Sequence, residues 1–165
     1  MRRESLEGLP VLAIPYGFEL RTFRPGDEGR WAQLMTGAIG DWDEESTVRQ
    51  FLGDPGVNPD GIFFFVRSND YLATATDKRL PEPEVGYLHM VAVAPPHRGK
   101  GFGRSISLTA LLHMKERGCR QAILDTDDFR LPAIRAYLAL GFIPEMVGPD
   151  HVDRWDTIFA ELDAS

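Results

Sequence analysis

The stretch Val91-Ala92-Val93-Ala94-Pro95-Pro96-His97-Arg98-Gly99-Lys100-Gly101-Phe102-Gly103-Arg104 decides how this chain is read. The run over 85–94 before it is apolar and β-prone. After it, residues 104–117 carry Ile106, Leu108, Ala110, Leu111, Leu112 and Met114 over more than half of a helical wheel, and Gly118 supplies the stop. A strand therefore feeds a glycine-rich loop that opens a long helix packed on more than one side. Glycines at 99, 101 and 103 let successive N–H groups converge. The helix start adds partial positive charge, and Arg98, Lys100 and Arg104 add full charges. Such a loop suits a pyrophosphate better than it suits a plain solvated connection. A Walker A loop needs four residues between its first glycine and Gly-Lys, followed by Ser or Thr, and that spacing is absent. A dinucleotide fingerprint needs its glycines directly after the strand, whereas Ala94 to Arg98 intervene here with two prolines; only Asp125, at the end of the next strand, still suits it.

Outward from the loop, the pattern alternates strands and helices. Residues 18–23 alternate apolar with polar, and Pro25-Gly26-Asp27 ends that strand and caps a helix through Met35. A second helix is expected over 44–52. The segment 37–43 between them, with Trp42 and Asp41, reads equally as a loop over a site or as plain surface. Runs at 61–67 and 71–76 around Ser68-Asn69-Asp70 predict a hairpin, 121–126 a strand, 132–140 a helix with Pro132 at its first turn, and 155–162 a terminal strand, with room for one more strand near 143–147. The expectation is an α/β (α+β) mixed sheet in one domain over 16–165, with residues 1–15 as an N-terminal extension.

Bulk composition narrows the function. The 165 residues, 43% hydrophobic and 26% charged, are enough for one packed domain without disulfides or a structural metal. Cys119 is the only cysteine and reads as core, which fits a reducing, cytoplasmic setting. No apolar run reaches the ~20 residues of a membrane span. The net charge of -7 disfavours nucleic acid, so the local Arg98, Lys100, Arg104 cluster calls for a small anion. His89, His97, His113 and His151 lack ligand spacing, and no metal is expected.

Two motifs together resemble the GNAT superfamily of N-acetyltransferases. Arg98-Gly99-Lys100-Gly101-Phe102-Gly103 matches its Arg/Gln-x-x-Gly-x-Gly/Ala signature, and 133–142 (Ala-Ile-Arg-Ala-Tyr-Leu-Ala-Leu-Gly-Phe) looks like its second motif, with Tyr137 four residues before Gly141-Phe142. Within the superfamily the chain looks nearest to mycothiol-synthase-like members. The resemblance implies a mostly antiparallel central sheet, splayed at the acyl-CoA strand and flanked by helices. It implies acetyl-CoA as cosubstrate, with backbone at Val91, Ala92 and Val93 along the pantetheine arm and Arg98, Gly99, Lys100, Gly101, Phe102, Gly103 and Arg104 around the pyrophosphate. Tyr137 would be the general acid for the departing thiolate. Arg130 stands where many members carry an Asn that touches the CoA arm, so it is expected on the CoA side or against a phosphate.

Acylation of an amine needs a proton acceptor, since an alkyl ammonium of pKa ~10 is almost wholly charged at neutral pH. His89 lies two residues before Val91, and strict alternation puts both on one face; a base there and a hydrogen-bonded sheet histidine are equally good readings. Some superfamily members use a histidine at the matching position. His151, Asp153, Glu84 and Asp41 are further candidates for water relay or amine binding, though each reads better as a plain surface residue. No Gly-x-Ser-x-Gly elbow or catalytic-cysteine motif is present. The expected function is direct transfer of an acetyl group to a primary amine of a small molecule or peptide, in a protein that leaves room for a homodimer. The alternatives are a non-catalytic acyl-CoA-binding or regulatory domain and a nucleotide-binding domain of another kind.

Overall fold

One six-stranded sheet organises the computed structural model, which describes residues 1–14 and 16–164. In chain order the strands are β1 (Arg2–Arg3), β2 (Glu19–Thr22), β3 (Ile62–Arg67), β4 (Asp70–Arg79), β5 (Val85–Val93) and β6 (Gln121–Ile123). Their spatial order is β1-β6-β5-β4-β3-β2, with every neighbouring pair antiparallel except β5 and β6. The helices are α1 (Glu28–Met35), α2 (Glu44–Ser46, running on as a π-helix over Thr47–Leu52), α3 (Phe102–Glu116), α4 (Leu131–Ala139) and α5 (His151–Asp163). A parallel pair needs a crossover, and α3 provides it.

β3 is buried on both sides because its residues alternate between two cores. Phe63 and Phe65 meet Leu88, Ile106 and Leu111 under α3. Ile62, Phe64 and Val66 meet Trp31, Met35 and Phe51 under α1 and α2. Each such side chain, fully buried, contributes roughly 1.5–3 kcal/mol. α3 lies so close to β5 that a Cβ on Gly86 would land on the Met114 side chain. A third, smaller core joins Ile134 of α4 to Trp155, Ile158 and Leu162 of α5.

Asp27 stands at the start of α1 as its sequence context predicts, yet its side chain does not cap the helix. Its carboxylate accepts both Arg21 Nη atoms at 2.7 and 2.9 Å and the Arg24 N–H at 2.8 Å, and the Tyr71 hydroxyl donates to it as well. This knot ties β2, α1 and β4 together.

Two expectations are corrected. The segment 155–162 is not a strand but part of α5, because Trp155, Ile158 and Leu162 repeat at helical spacing and all three are buried against α4. The strand foreseen near 143–147 shrinks to a single bridge between Ile143 and Arg2. The sheet gains its sixth strand at the other end of the chain: Arg2 and Arg3 pair with Ile123 and Ala122, and Leu6 is 1% exposed in the core.

Candidate active site

β5 and β6 pair only through Val85↔Gln121, Gly86↔Ala122 and Tyr87↔Ile123. β6 then ends while β5 runs six residues further, so a seam opens in the middle of the sheet. On its other side β5 stays paired with β4, and the Ala94 N–H donates to Leu72 O at 2.8 Å. Because an antiparallel strand turns alternate residues toward its partner, the main-chain groups of Val91 and Val93 face the seam. The Arg98 Nε donates to Val93 O at 3.1 Å, as that orientation requires.

A bulge sits in this strand. Thr74 pairs with Ala92 but Thr76 with His89, so three steps of β5 oppose two of β4, and Met90 takes a left-handed φ of 49°. The bulge breaks the alternation that would put His89 and Val91 on one face. Val91 and Val93 pack on the α3 side, whereas Met90 and Ala92 pack on the α1 side. His89 belongs to the α1 side too, its ring 6.4 Å from Phe51 and stacked on Tyr87 at 5.2 Å.

At the mouth of the seam on the α3 side lies the glycine loop. Gly99 and Gly101 have φ of 73° and 83°, and Gly101 forms the N-cap of α3 with no side-chain cap. The first-turn N–H groups of α3 are thus left for an anion. Arg98, Lys100 and Arg104 are exposed around them, with Lys100 Nζ turned back on Pro96 O at 2.9 Å. Phe102 is buried under the loop, where the His97 ring meets it edge-on at 6.1 Å, and Gly103 lies against Val93. Tyr137, on α4, is 7% exposed, and burial pushes its phenol up to about 12.

The α1 side has a different chemistry. Burial first, and Lys78 second, push the His89 imidazole down to about 4 from its ordinary 6.5, so it is neutral at physiological pH. Lys78 is paired with Asp54 at 2.5 Å. The Tyr87 hydroxyl donates to Asp125 Oδ2 at 2.9 Å, and burial together with that bond raises its pKa. The Thr74 and Thr76 hydroxyls, both fully buried, find no hydrogen-bond partner among the described residues, and Thr76 is the cross-strand partner of His89.

Loop 37–43 covers this side and is ordered. Thr36 Oγ1 donates to Trp42 O and accepts the Trp42 N–H, Trp42 Nε1 donates to Ile39 O at 2.6 Å, and Asp43 makes a capping box with Ser46 at the start of α2. Arg130 bonds Asp127 and Ala38 O, both at 2.7 Å. His151 lies beside a cavity of about 140 Å³ that Asp125, Thr126 and Glu145 also line. Asp153 and Asp41 are exposed, and Glu84 pairs with Arg120 near the closed end of the β5–β6 pair. Tyr87 and Thr76 were not among the sequence-predicted site residues, and Asp125 was singled out only as a partner for a dinucleotide. Tyr87 was findable, since it alternates with His89 along one strand face. Cys119 is buried, with its thiol against Pro83 O at 3.4 Å.

A sequence profile described as the acetyltransferase (GNAT) family matches residues 28–142. The chain belongs to the GNAT family. Among its relatives is the mycothiol acetyltransferase of Thermobispora bispora, 33% identical over 153 residues, which cover 86% of this chain and 52% of that protein. This GNAT chain spans about half the length of the curated relatives it matches. Among solved structures, a GCN5-related N-acetyltransferase from Sphaerobacter thermophilus superposes with a TM-score of 0.65 at 24% identity, over 85% of this chain and 46% of that one. The NatC complex bound to Gag peptide and CoA contains a chain that superposes with a TM-score of 0.64 at 20% identity, over 78% of this chain and 86% of that one. Both likenesses bear on the fold alone: a mixed sheet flanked by helices. Among the described residues, no helix is long and apolar enough to cross a membrane, and no group of His, Cys, Asp and Glu is set to hold a metal.

Proposed function

We propose that this chain is a GNAT-type N-acetyltransferase that moves an acetyl group from acetyl-CoA to a primary amine by direct attack, without an acyl-enzyme intermediate. The observation that carries this reading is the seam between β5 and β6, which ends at an uncapped helix N-terminus. The residues present fit acetyl-CoA. The main chain of Val91 and the N–H of Val93 face the seam and suit an extended amide-bearing arm, with Val93 O held by Arg98 Nε and Ala92 holding the strand to β4, while the N–H groups from Phe102 onward and the cations Arg98, Lys100 and Arg104 suit a pyrophosphate beside Gly99, Gly101 and Gly103. Acetyl-CoA would supply the activated acetyl thioester. N–H groups of the Val91 segment would stabilise negative charge developing on its carbonyl oxygen.

The protonation states assign the side chains different work. A group that titrates at about 4 is a poor match for an ammonium of pKa ~10, because the transfer is uphill by about 8 kcal/mol. His89 therefore does not deprotonate the incoming ammonium, whose first proton goes to solvent, so that the small neutral fraction of the amine is the nucleophile. The imidazole stays neutral and accepts a second proton once the nitrogen is bonding to the acyl carbon and has become acidic. Tyr137, held protonated by burial, donates a hydrogen bond to the departing sulfur; complete transfer from a phenol near 12 to a thiolate near 8.5 is uphill by roughly 5 kcal/mol. The proton collected at His89 is the better one to neutralise that sulfur. The acceptor enters from the α1 side, where Tyr87, Asp125 and loop 37–43 form the walls.

The mycothiol acetyltransferase relatives support a small-molecule amine over a large protein as acceptor. A cytoplasmic site of action fits the single buried thiol. The test is release of free CoA from acetyl-CoA with a panel of primary amines. Tyr137→Phe should lower kcat about a hundredfold and leave the KM for acetyl-CoA within about twofold. CoA binding without turnover on any amine would instead favour a binding module.

A further inference from the structure

Arg130 is the N-cap of α4 and follows β6 through the residues 124–129, so it belongs to one lip of the seam. Loop 37–43 belongs to the other: Ala38, Ile39 and Trp42 pack on the core that contains Met90, Ala92 and Ala94 of the β5 side. A single guanidinium joins the two. Its Nη1 donates to Ala38 O and its Nε to Asp127 Oδ2, both at 2.7 Å, and it lies over the Phe129 ring at 5.1 Å. The bond to Ala38 links residues 92 positions apart in the chain. The carbonyl it reaches is held in place. Gly37 and Gly40 take φ of 75° and 80°, the Ala38 and Ile39 N–H groups both donate to Met35 O, and Trp42 leans edge-on against Trp31 at 5.0 Å. A planar fork of five donors can serve both lips at once, whereas an Asn is too short to span them and a Lys lacks the fixed fork.

We propose that Arg130 is a specificity-determining clasp that fastens loop 37–43 across the acceptor side of the seam and so sets which primary amines reach His89. The inference rests on the acetyltransferase reading for its chemistry, but not for its geometry. Beyond the CoA contact implied at this position, the side chain reaches the loop on the acceptor face. As a positioning residue it acts through the loop and touches no reacting atom.

Hydrogen-exchange mass spectrometry on the unmodified protein, Arg130→Ala and Arg130→Lys tests the clasp without any need for turnover. Exchange in 37–43 should speed up at least about tenfold in Arg130→Ala and to an intermediate degree in Arg130→Lys, with protection in β3 and β4 unchanged. Unchanged exchange in the loop overturns the proposal even if every variant is active. Steady-state kinetics then test selectivity with n-propylamine and its α-branched isomer. In Arg130→Ala the ratio of the two kcat/KM values should shift at least about tenfold, with the KM for acetyl-CoA within about twofold. A rise in the acetyl-CoA KM with amine preference intact would assign Arg130 to the donor and overturn the clasp. If the unmodified protein acetylates no amine, the acetyltransferase reading fails, while the exchange result still decides whether the loop is fastened.

Discussion

His89 offers a prediction whose size follows from the fold. An imidazole that titrates at 6.5 when unfolded and at about 4 when folded binds fewer protons in the native state over that whole interval. Stability is therefore untouched well above pH 6.5, falls as the pH drops through 6.5, and the loss is complete below about 4. At about pH 5 the linkage relation gives a loss of ~2 kcal/mol, against ~0.2 kcal/mol at about pH 7. His89 is only partly buried, and solvent screening trims the difference to roughly 1–2 kcal/mol. His89→Gln keeps a neutral polar group of similar reach and cannot charge. Urea unfolding of both proteins at about pH 7 and pH 5 should show the unmodified protein losing roughly 1–2 kcal/mol more than the variant. His97, His113 and His151 are common to both proteins and cancel. Carboxylates titrate mainly below this window. Equal losses, within about 0.3 kcal/mol, would mean that the imidazole titrates normally and that the α1 side of the seam is wet. The assignment of His89 as a late, weak proton acceptor would then fall.

Two further perturbations probe the frame and the loop. Asp27→Ala leaves Arg21, 13% exposed, without its partner and frees the Tyr71 hydroxyl, so it should destabilise the protein by about 3 kcal/mol, read by urea unfolding at neutral pH. Burial alone would raise the Asp27 carboxyl, but the bonds from Arg21, Tyr71 and the Arg24 N–H outweigh it and hold it low. That contribution is present above its unfolded value of 3.8 and is lost as the pH falls further, through the lower folded one. Gly101→Ala meets no atom within 4 Å but must adopt a φ of 83°, so it should cost roughly 1–2 kcal/mol and weaken CoA binding by calorimetry, with Tm restored in part by excess CoA. Unaltered CoA affinity would argue against the loop as the pyrophosphate site.

What the sequence made legible was local. The loop at 98–104 stands out because its glycines and cations carry their meaning within seven residues, and the hairpin of β3 and β4 because turn chemistry sits between two apolar runs. The run 155–162 begins Trp-Asp-Thr-Ile-Phe, which looks β-prone until Trp155, Ile158 and Leu162 are seen to share one helix face. β1 is two arginines held by main-chain pairing, and no side-chain pattern announces it. The face of His89 was lost to the bulge, since Met90 takes a backbone conformation that usually signals itself through Gly or Asn. Arg130 could be found as a departure from the family motif, but its partner at Ala38 lies where only folding brings it.

The bulge at Met90 has a consequence for the order of events. By turning Val91 and His89 to opposite sides, it makes the sheet a partition with a slot, and under the proposed function the donor arm would enter on the α3 side and the amine on the α1 side. Neither substrate then has to pass the other, and spent CoA need not leave before the acetylated product. Initial-rate plots against the two substrates should intersect rather than run parallel, and neither compound should obstruct the other's way in.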